Sequence, residues 1–280
     1  MANTRELRRR IKSIKSTAQI TKAMQMVAAT KMRRAQNQAT NGRPYVENLM
    51  ASLSRLLPKI DMEAHPLLIG NESKTTGIIL LSSDKGLVGA LNTNLIRVLA
   101  SNTGGSNVYY TVGRKGRSFV ARSGKDLKAD FENLDVITFR QAKQLSKLVI
   151  DAFKTGEIGQ AILVYPHFLS TLRQEARKVK LLPIDISSLA NEQTNNEFLF
   201  EPNPDALLDY LLVHHIEEQI YQALLETKAS EHSARMIAMQ NATDNALELV
   251  DDLKLTYNQT RQDAITKELL EITTAQAAMQ

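Results

Sequence analysis

Cysteine and tryptophan are both absent from the 280 residues. Without a thiol the chain holds no disulfide, no thiolate nucleophile and no Cys-ligated zinc. Aromatic residues make up only 5% of the chain, too few for an aromatic-rich recognition surface. No apolar run approaches the ~18–20 residues needed to cross a bilayer, and no secretory apolar region follows the N-terminus. Residues 1–34 are Arg-rich and acid-poor, as organellar transit peptides are, but the same stretch runs in helical register into Ala35 and beyond. It therefore reads as a mature helix, and the cytoplasmic compartment is the simplest reading.

Glycine and proline are missing from both ends. All twelve glycines lie between Gly42 and Gly159 and all seven prolines between Pro44 and Pro204. In a helix interior glycine costs about 1 kcal/mol and proline about 3 kcal/mol, so residues 205–280 are compatible with one unbroken helix. Fully helical, that tail would span on the order of 100 Å. Charge is divided between the ends. Residues 1–36 carry ten Lys or Arg against the single acid Glu6, whereas residues 205–280 carry thirteen acids against five bases. Two long helices of opposite sign are suited to lie side by side, although each charge run also suits a solvated helix face.

A 4-3 apolar spacing begins at Leu7 and runs through Ile11, Ile14, Ala18, Thr21, Gln25, Ala28, Met32, Ala35 and Ala39. It resumes at Val46, Leu49, Leu53, Leu56 and Ile60, crossing Gly42 and Pro44, where a kink is expected. Asn3 and Glu6 form a capping box at its start, and Asn203 with Pro204 opens the second long helix. Between these ends the pattern changes to β-branched runs at 76–82, 108–112, 136–139, 161–165 and 179–184. Helical stretches at about 87–101, 114–123 and 140–154 separate them. The fold class expected is α/β: a central doubly wound, Rossmann-like domain with an antiparallel edge, plus a long antiparallel coiled coil of the N- and C-terminal helices. The division expected is a coiled-coil helix over 1–60, a linker over 61–75, the α/β domain over 76–200 and a second coiled-coil helix over 201–280.

Chemistry is hard to find. The patterns G-x-x-x-x-G-K-[ST] and G-x-G-x-x-G are absent after the first strand. The turn Ser82–Gly89 (SSDKGLVG) is the best small-ligand candidate, since a Gly-rich strand-to-helix turn can offer backbone N–H groups to an anion. The same residues suit a tight structural turn, the commoner use in such folds. His214 and Glu218 stand at a metal-capable i, i+4 spacing beside His215 and Glu217, but no H-E-x-x-H is present and the other histidines are scattered. No metal, cofactor or catalytic residue is assigned. The basic cluster Arg8, Arg9, Arg10, Lys12 and Lys15 keeps open a second reading, a basic coiled-coil nucleic-acid-binding or scaffold protein. An enzyme in the α/β centre is a third, without a motif.

Three stretches carry a resemblance. Residues 10–14 (RIKSI) with 19–28 (QITKAMQMVA), residues 82–92 (SSDKGLVGALN), and Ser230–Met236 (SEHSARM) with residues 242–246 (ATDNA) and 257–269 are similar to the gamma subunit of the rotary F-type ATP synthase. They match in order and spacing over both termini and the domain between. Lys85 and Val88 stand where the family often has Arg and Cys, Thr274-Ala275 replaces a Ser-Gly pair, and the Cys-bearing insertion of chloroplast relatives is missing. The resemblance implies a non-catalytic central shaft inside a ring of three alpha and three beta subunits, coupling ion-driven rotation of the membrane c-ring to the beta-subunit sites. Lys22, Met24, Arg235, Gln262 and Thr266 match positions that meet the beta subunits, and Glu201 matches a segment close to the c-ring or the epsilon subunit. The implied partners are the alpha, beta and epsilon subunits and the c-ring, with no nucleic acid and no direct membrane insertion. The implied location is peripheral, on the cytoplasmic face of a bacterial cell membrane.

Overall fold

The computed structural model describes residues 4–56, 65–101, 105–185 and 203–278. The expected positions Asn3, Ile60 and Glu201 and the polar stretch 191–196 lie outside the described residues. Two helices dominate: α1, Thr4–Leu56, and α5, Pro204–Ala277. Between them run β1 (Thr76–Leu81), α2 (Leu91–Ala100), β2 (Asn107–Val112), α3 (Arg114–Arg122), β3 (Asp126–Phe131), α4 (Phe139–Lys154), β4 (Gln160–Phe168) and β5 (Gln174–Leu182). α1 continues through Pro44. Proline removes one donor from the helix ladder, yet the next turns are held by Leu49, Leu53 and Leu56, all buried. The Asn48 side-chain amide also donates to the Pro44 carbonyl at 2.8 Å.

The five strands form one sheet in the order β3-β2-β1-β4-β5. β1, β2, β3 and β4 run parallel, and β5 returns antiparallel beside β4 as a hairpin. One expected strand is corrected. Residues 136–138 are not a strand but lead into α4, with Ile137 buried and Thr138 at the helix N-cap. The third strand is Asp126–Phe131, whose sequence DLKADF alternates exposed and half-buried residues. It is polar because it is the sheet edge, where charge on the outer face discourages further pairing.

Period-two alternation sends the two halves of each central strand to opposite faces. Ile79, Leu81, Tyr110 and Leu163 pack with Leu53 and Leu56 of α1, Leu145 and Val149 of α4, and Leu212, Ile216 and Ile220 of α5. Ile78, Leu80, Tyr109, Ile162 and Val164 pack with Leu95 and Leu99 of α2 and Val120 of α3. Strands covered on both faces read as continuous apolar runs, as β1 does.

The chain divides into two compact units. The larger, Ala29–Ala234, holds the sheet and both cores. The smaller consists of residues 1–28 and 235–280. Within it α1 and α5 pair antiparallel: Arg8 donates to the Tyr257 hydroxyl at 2.8 Å, and Thr21 and Thr243 hydroxyls meet at 2.7 Å. Every expected seam position from Leu7 to Ala28 is buried or half-buried. The answering seam on α5 is Met239, Thr243, Ala246, Val250, Leu253, Tyr257 and Thr260, again at 4-3 spacing and buried or half-buried. A strict seven-residue repeat on both helices is the pattern of a left-handed coiled coil.

Candidate functional site

The Gly-rich turn after β1 sits at the C-terminal edge of the parallel strands, where open α/β sheets usually bind ligands. Several of its polar groups are spent internally. They accept from the first three amides of α3: Arg114 N donates to Asp84 Oδ1 at 2.9 Å, Lys115 N to Ser83 O at 3.1 Å and Gly116 N to Ser82 Oγ at 2.8 Å. Asn92 clamps the other side, donating to Ser83 Oγ at 2.8 Å. Gly113 has φ +94, and a Cβ there would lie 2.2 Å from Ser82 O, so only glycine lets β2 approach β1 this closely. The turn is a joint between strand and helices.

The motif Ser230–Met236 opens with a set of buried polar residues that fasten α5 to the sheet-bearing unit. Ser230 Oγ donates to Pro166 O at 2.9 Å and Ser233 Oγ to Thr171 O at 2.6 Å, gripping the β4–β5 hairpin. Lys228 Nζ donates to Asn133 O at 3.1 Å, and Asn133 Nδ2 reaches both Ser82 O at 2.9 Å and Glu231 Oε2 at 3.2 Å. Lys228, Glu231, Asn133 and Ser82 are all buried, where polar groups persist only with partners. Asn133 therefore joins two segments recognisable in the sequence, the turn after β1 and the start of the α5 motif. Nothing local marks it, because its role depends on partners about 50 and 100 residues away. Nearby, Lys31 donates to Asp135 Oδ2 at 3.0 Å, and that hydrogen bond is the main reason the carboxyl stays below its ordinary pKa.

The metal-capable spacing on α5 is used otherwise. His214 Nε2 meets the Tyr45 hydroxyl at 2.5 Å and its Nδ1 lies 3.2 Å from Glu217 Oε2, so both ring nitrogens are occupied. Among the described residues no three His, Cys, Asp or Glu side chains are grouped to hold a metal ion.

The five described site candidates all fall in the smaller unit, at separate levels. Lys22 is exposed and Met24 half-buried on α1. Arg235 is half-buried on α5, while Gln262 and Thr266 are exposed near its end. Arg235 and Gln262 stand 27 residues apart on one helix, about 40 Å at 1.5 Å per residue. They are stations along a coil, not one site. Thr266 Oγ1 donates back to the Gln262 carbonyl at 2.9 Å, leaving the Gln262 side-chain amide exposed.

What sequence reasoning missed is the outer surface of this coil. Ile20, Met26 and Val27 on α1 are 58–64% exposed, and Leu247, Leu255, Ile265, Leu269, Leu270 and Ile272 on α5 are at least 50% exposed. By the pairing of Arg8 with Tyr257 and Thr21 with Thr243, residues of α5 beyond about 261 extend past the start of α1. Among the described residues no helix segment lies opposite their apolar side chains.

Comparison with known proteins supplies the context. The family model described as ATP synthase matches residues 3–279. The ATP synthase gamma chain of Methylacidiphilum infernorum is 44% identical over 292 residues, covering 100% of both chains. That of Opitutus terrae is 42% identical over 99% of both. A chain of the central stalk/c-ring structure of the Tetrahymena thermophila mitochondrial ATP synthase is 30% identical, with TM-score 0.61, over 80% of this chain and 99% of that one. A chain of the Euglena gracilis mitochondrial ATP synthase rotor shares the fold, with TM-score 0.66 at 20% identity, over 94% of this chain and 98% of that one.

Proposed function

The chain belongs to the ATP synthase gamma-chain family, and from that premise we propose that it is the central rotor shaft of an F-type ATP synthase, transmitting ion-driven rotation to the catalytic sites of the beta subunits. The observation that carries the reading is the apolar outer surface of the smaller unit. A two-stranded coil in water is expected to keep apolar side chains on its seam and charge outside. Exposed leucines and isoleucines along both helices need an apolar sleeve, which the ring of alpha and beta subunits provides in this assignment.

In this mechanism the shaft acts by position. Polar side chains set at separate levels of a mainly apolar rod form hydrogen bonds with a beta subunit at one rotary angle and lose them at the next. A contact biases a beta site only by its difference in free energy between the two angles. Lys22 and Met24, Arg235, and the pair Gln262 and Thr266 are assigned as three such stations. Glu201, outside the described residues, is assigned to the contact with the c-ring and epsilon subunit.

The chain itself is assigned no bond chemistry. Its strongest ligand-like feature, the turn after β1, is committed to internal hydrogen bonds. No described helix is long and apolar enough to cross a membrane. The chain is accordingly assigned a peripheral place on the cytoplasmic face of a bacterial membrane, held there through its partners. The nucleic-acid alternative finds no support among the relatives. Mixing the purified chain with the alpha and beta subunits of its own complex tests the assignment. ATP turnover should need the beta subunits and be absent from the chain alone. Turnover by the chain alone, or failure to co-assemble, would overturn it.

A further inference from the structure

Within the larger unit, α1, the β4–β5 edge of the sheet and α5 enclose a cleft of about 260 Å³ that the rotor role does not use. One part of its wall is apolar, made by Val46 and Met50 of α1, Leu163 of β4 and Val179 of β5. The rest is polar. Gln219 Nε2 bonds His215 Nε2 at 2.9 Å, and burial pushes that imidazole down to about 4, so it stays neutral. Tyr165 lies near Arg177 and Glu226, and Glu226 meets His167 Nδ1 at 2.5 Å.

Two acceptors stand on one side of it. Glu218 is only 6% exposed and lines the cleft. Gln222 Oε1 is buried without a partner. The two residues are i, i+4 neighbours and therefore share one face of α5, the face that lines the cleft. A buried acceptor without a donor is costly, and one beside a buried carboxyl and an apolar recess forms the elements of a small-ligand site. A bare metal ion is a poor occupant, because it would find one carboxylate and one amide where hard cations take six or more oxygens. An ammonium brings three donors and needs few acceptors.

We propose that this cleft is a binding site for a small amphipathic amine, its ammonium donating to the Glu218 carboxylate and to Gln222 Oε1 and its short aliphatic body lying on Val46, Met50, Leu163 and Val179. Binding couples to protons. Burial holds the empty Glu218 carboxyl above its ordinary pKa, with His214 on the same helix opposing that shift. An arriving ammonium ionises it, so affinity falls as pH is lowered. The charged or titratable groups facing Glu218 from the other elements are Tyr45 of α1, Tyr165 of β4 and Arg177 of β5.

The test uses n-butylamine and the full-length chain, alone and assembled with its alpha and beta partners, with the Met50 methyl resonance as reporter. Butylamine should shift that resonance saturably. 1-Butanol, with the same body and no charge, should bind at least about tenfold more weakly, the loss of one charge-assisted hydrogen bond. Glu218→Gln keeps the size of the side chain and should weaken butylamine at least about tenfold while removing most of the pH dependence. Val46→Phe fills the recess from α1 and should abolish binding, with an unchanged melting temperature showing that the fold survives. Equal affinity for butanol and butylamine, undiminished binding by Glu218→Gln, or no saturable shift in the parent chain would overturn the assignment.

Discussion

The pairing of Thr21 with Thr243 makes a quantitative prediction about the coil. The two hydroxyls meet at 2.7 Å between α1 and α5, and both residues are buried. Each hydroxyl also has a carbonyl within its own helix: Ala18 O lies 3.1 Å from Thr21 Oγ1 and Met239 O lies 2.8 Å from Thr243 Oγ1. One proton therefore crosses between the helices while the other stays at home. Replacing either threonine by valine preserves shape and removes the crossing bond, and the remaining hydroxyl turns to its own carbonyl, leaving no buried donor orphaned. Each single variant should cost about 1 kcal/mol, the usual net worth of one hydrogen bond. The double variant loses the crossing bond only once. It also loses the remaining hydroxyl's bond to its own helix carbonyl, which is roughly offset by no longer burying that hydroxyl, so its cost should also be about 1 kcal/mol and the coupling about 1 kcal/mol. Amide hydrogen exchange in segments 14–28 and 239–250 reads this as opening about fivefold more frequent in all three variants. If the two single costs simply add, the hydroxyls are not coupled, and the view that this polar pair pins the register of the seam fails.

Gly113→Ala places a Cβ 2.2 Å from Ser82 O at a φ of +94, so it should cost about 3 kcal/mol or more; a melting temperature within a few degrees of the parent would count against a closed joint at the turn. His215 refuses a proton until about pH 4, whereas the unfolded chain takes one near 6.5, so the unfolded state binds more protons between those values and stability falls as pH drops through that window, by about 3 kcal/mol in all. Glu218 titrates in the opposite sense, so the comparison of parent with His215→Phe isolates the histidine; parallel stability–pH curves would refute it. Gln262→Leu should lower ATP synthesis in intact complexes more than it lowers their assembly, and unchanged synthesis would remove that station from the coupling path. Glu201→Lys should weaken coupling of ion flow to synthesis while soluble ATP hydrolysis persists; a joint loss of both would make the residue a support of fold or assembly.

The coil was largely legible from the chain because its signals are local and repeated. The 4-3 spacing from Leu7 to Ala28 and the lack of Gly and Pro after residue 204 need no tertiary information. The seam of α5 was harder to see, since Thr243, Ala246 and Thr260 are small or polar and hide its period. The parallel strands buried on both faces announced themselves as apolar runs, as at Thr76–Leu81. The edge strand Asp126–Phe131 did not, because half its residues face solvent, and residues 136–139 imitated a strand through Val136 and Ile137. The network of Asn133, Lys228 and Glu231 was invisible for a different reason: its members are brought together only when the turn, the loop before α4 and α5 have packed.

The central claim is that this chain turns inside its complex. Because the chain has no cysteine, Thr93→Cys on the exposed face of α2 gives a single attachment point for a bead or fluorescent rod. With the alpha and beta subunits fixed to a surface and ATP supplied, the account predicts stepwise rotation of the probe in one direction, stopping when ATP is exhausted. Steady ATP hydrolysis by complexes whose probe stays fixed in orientation would contradict it.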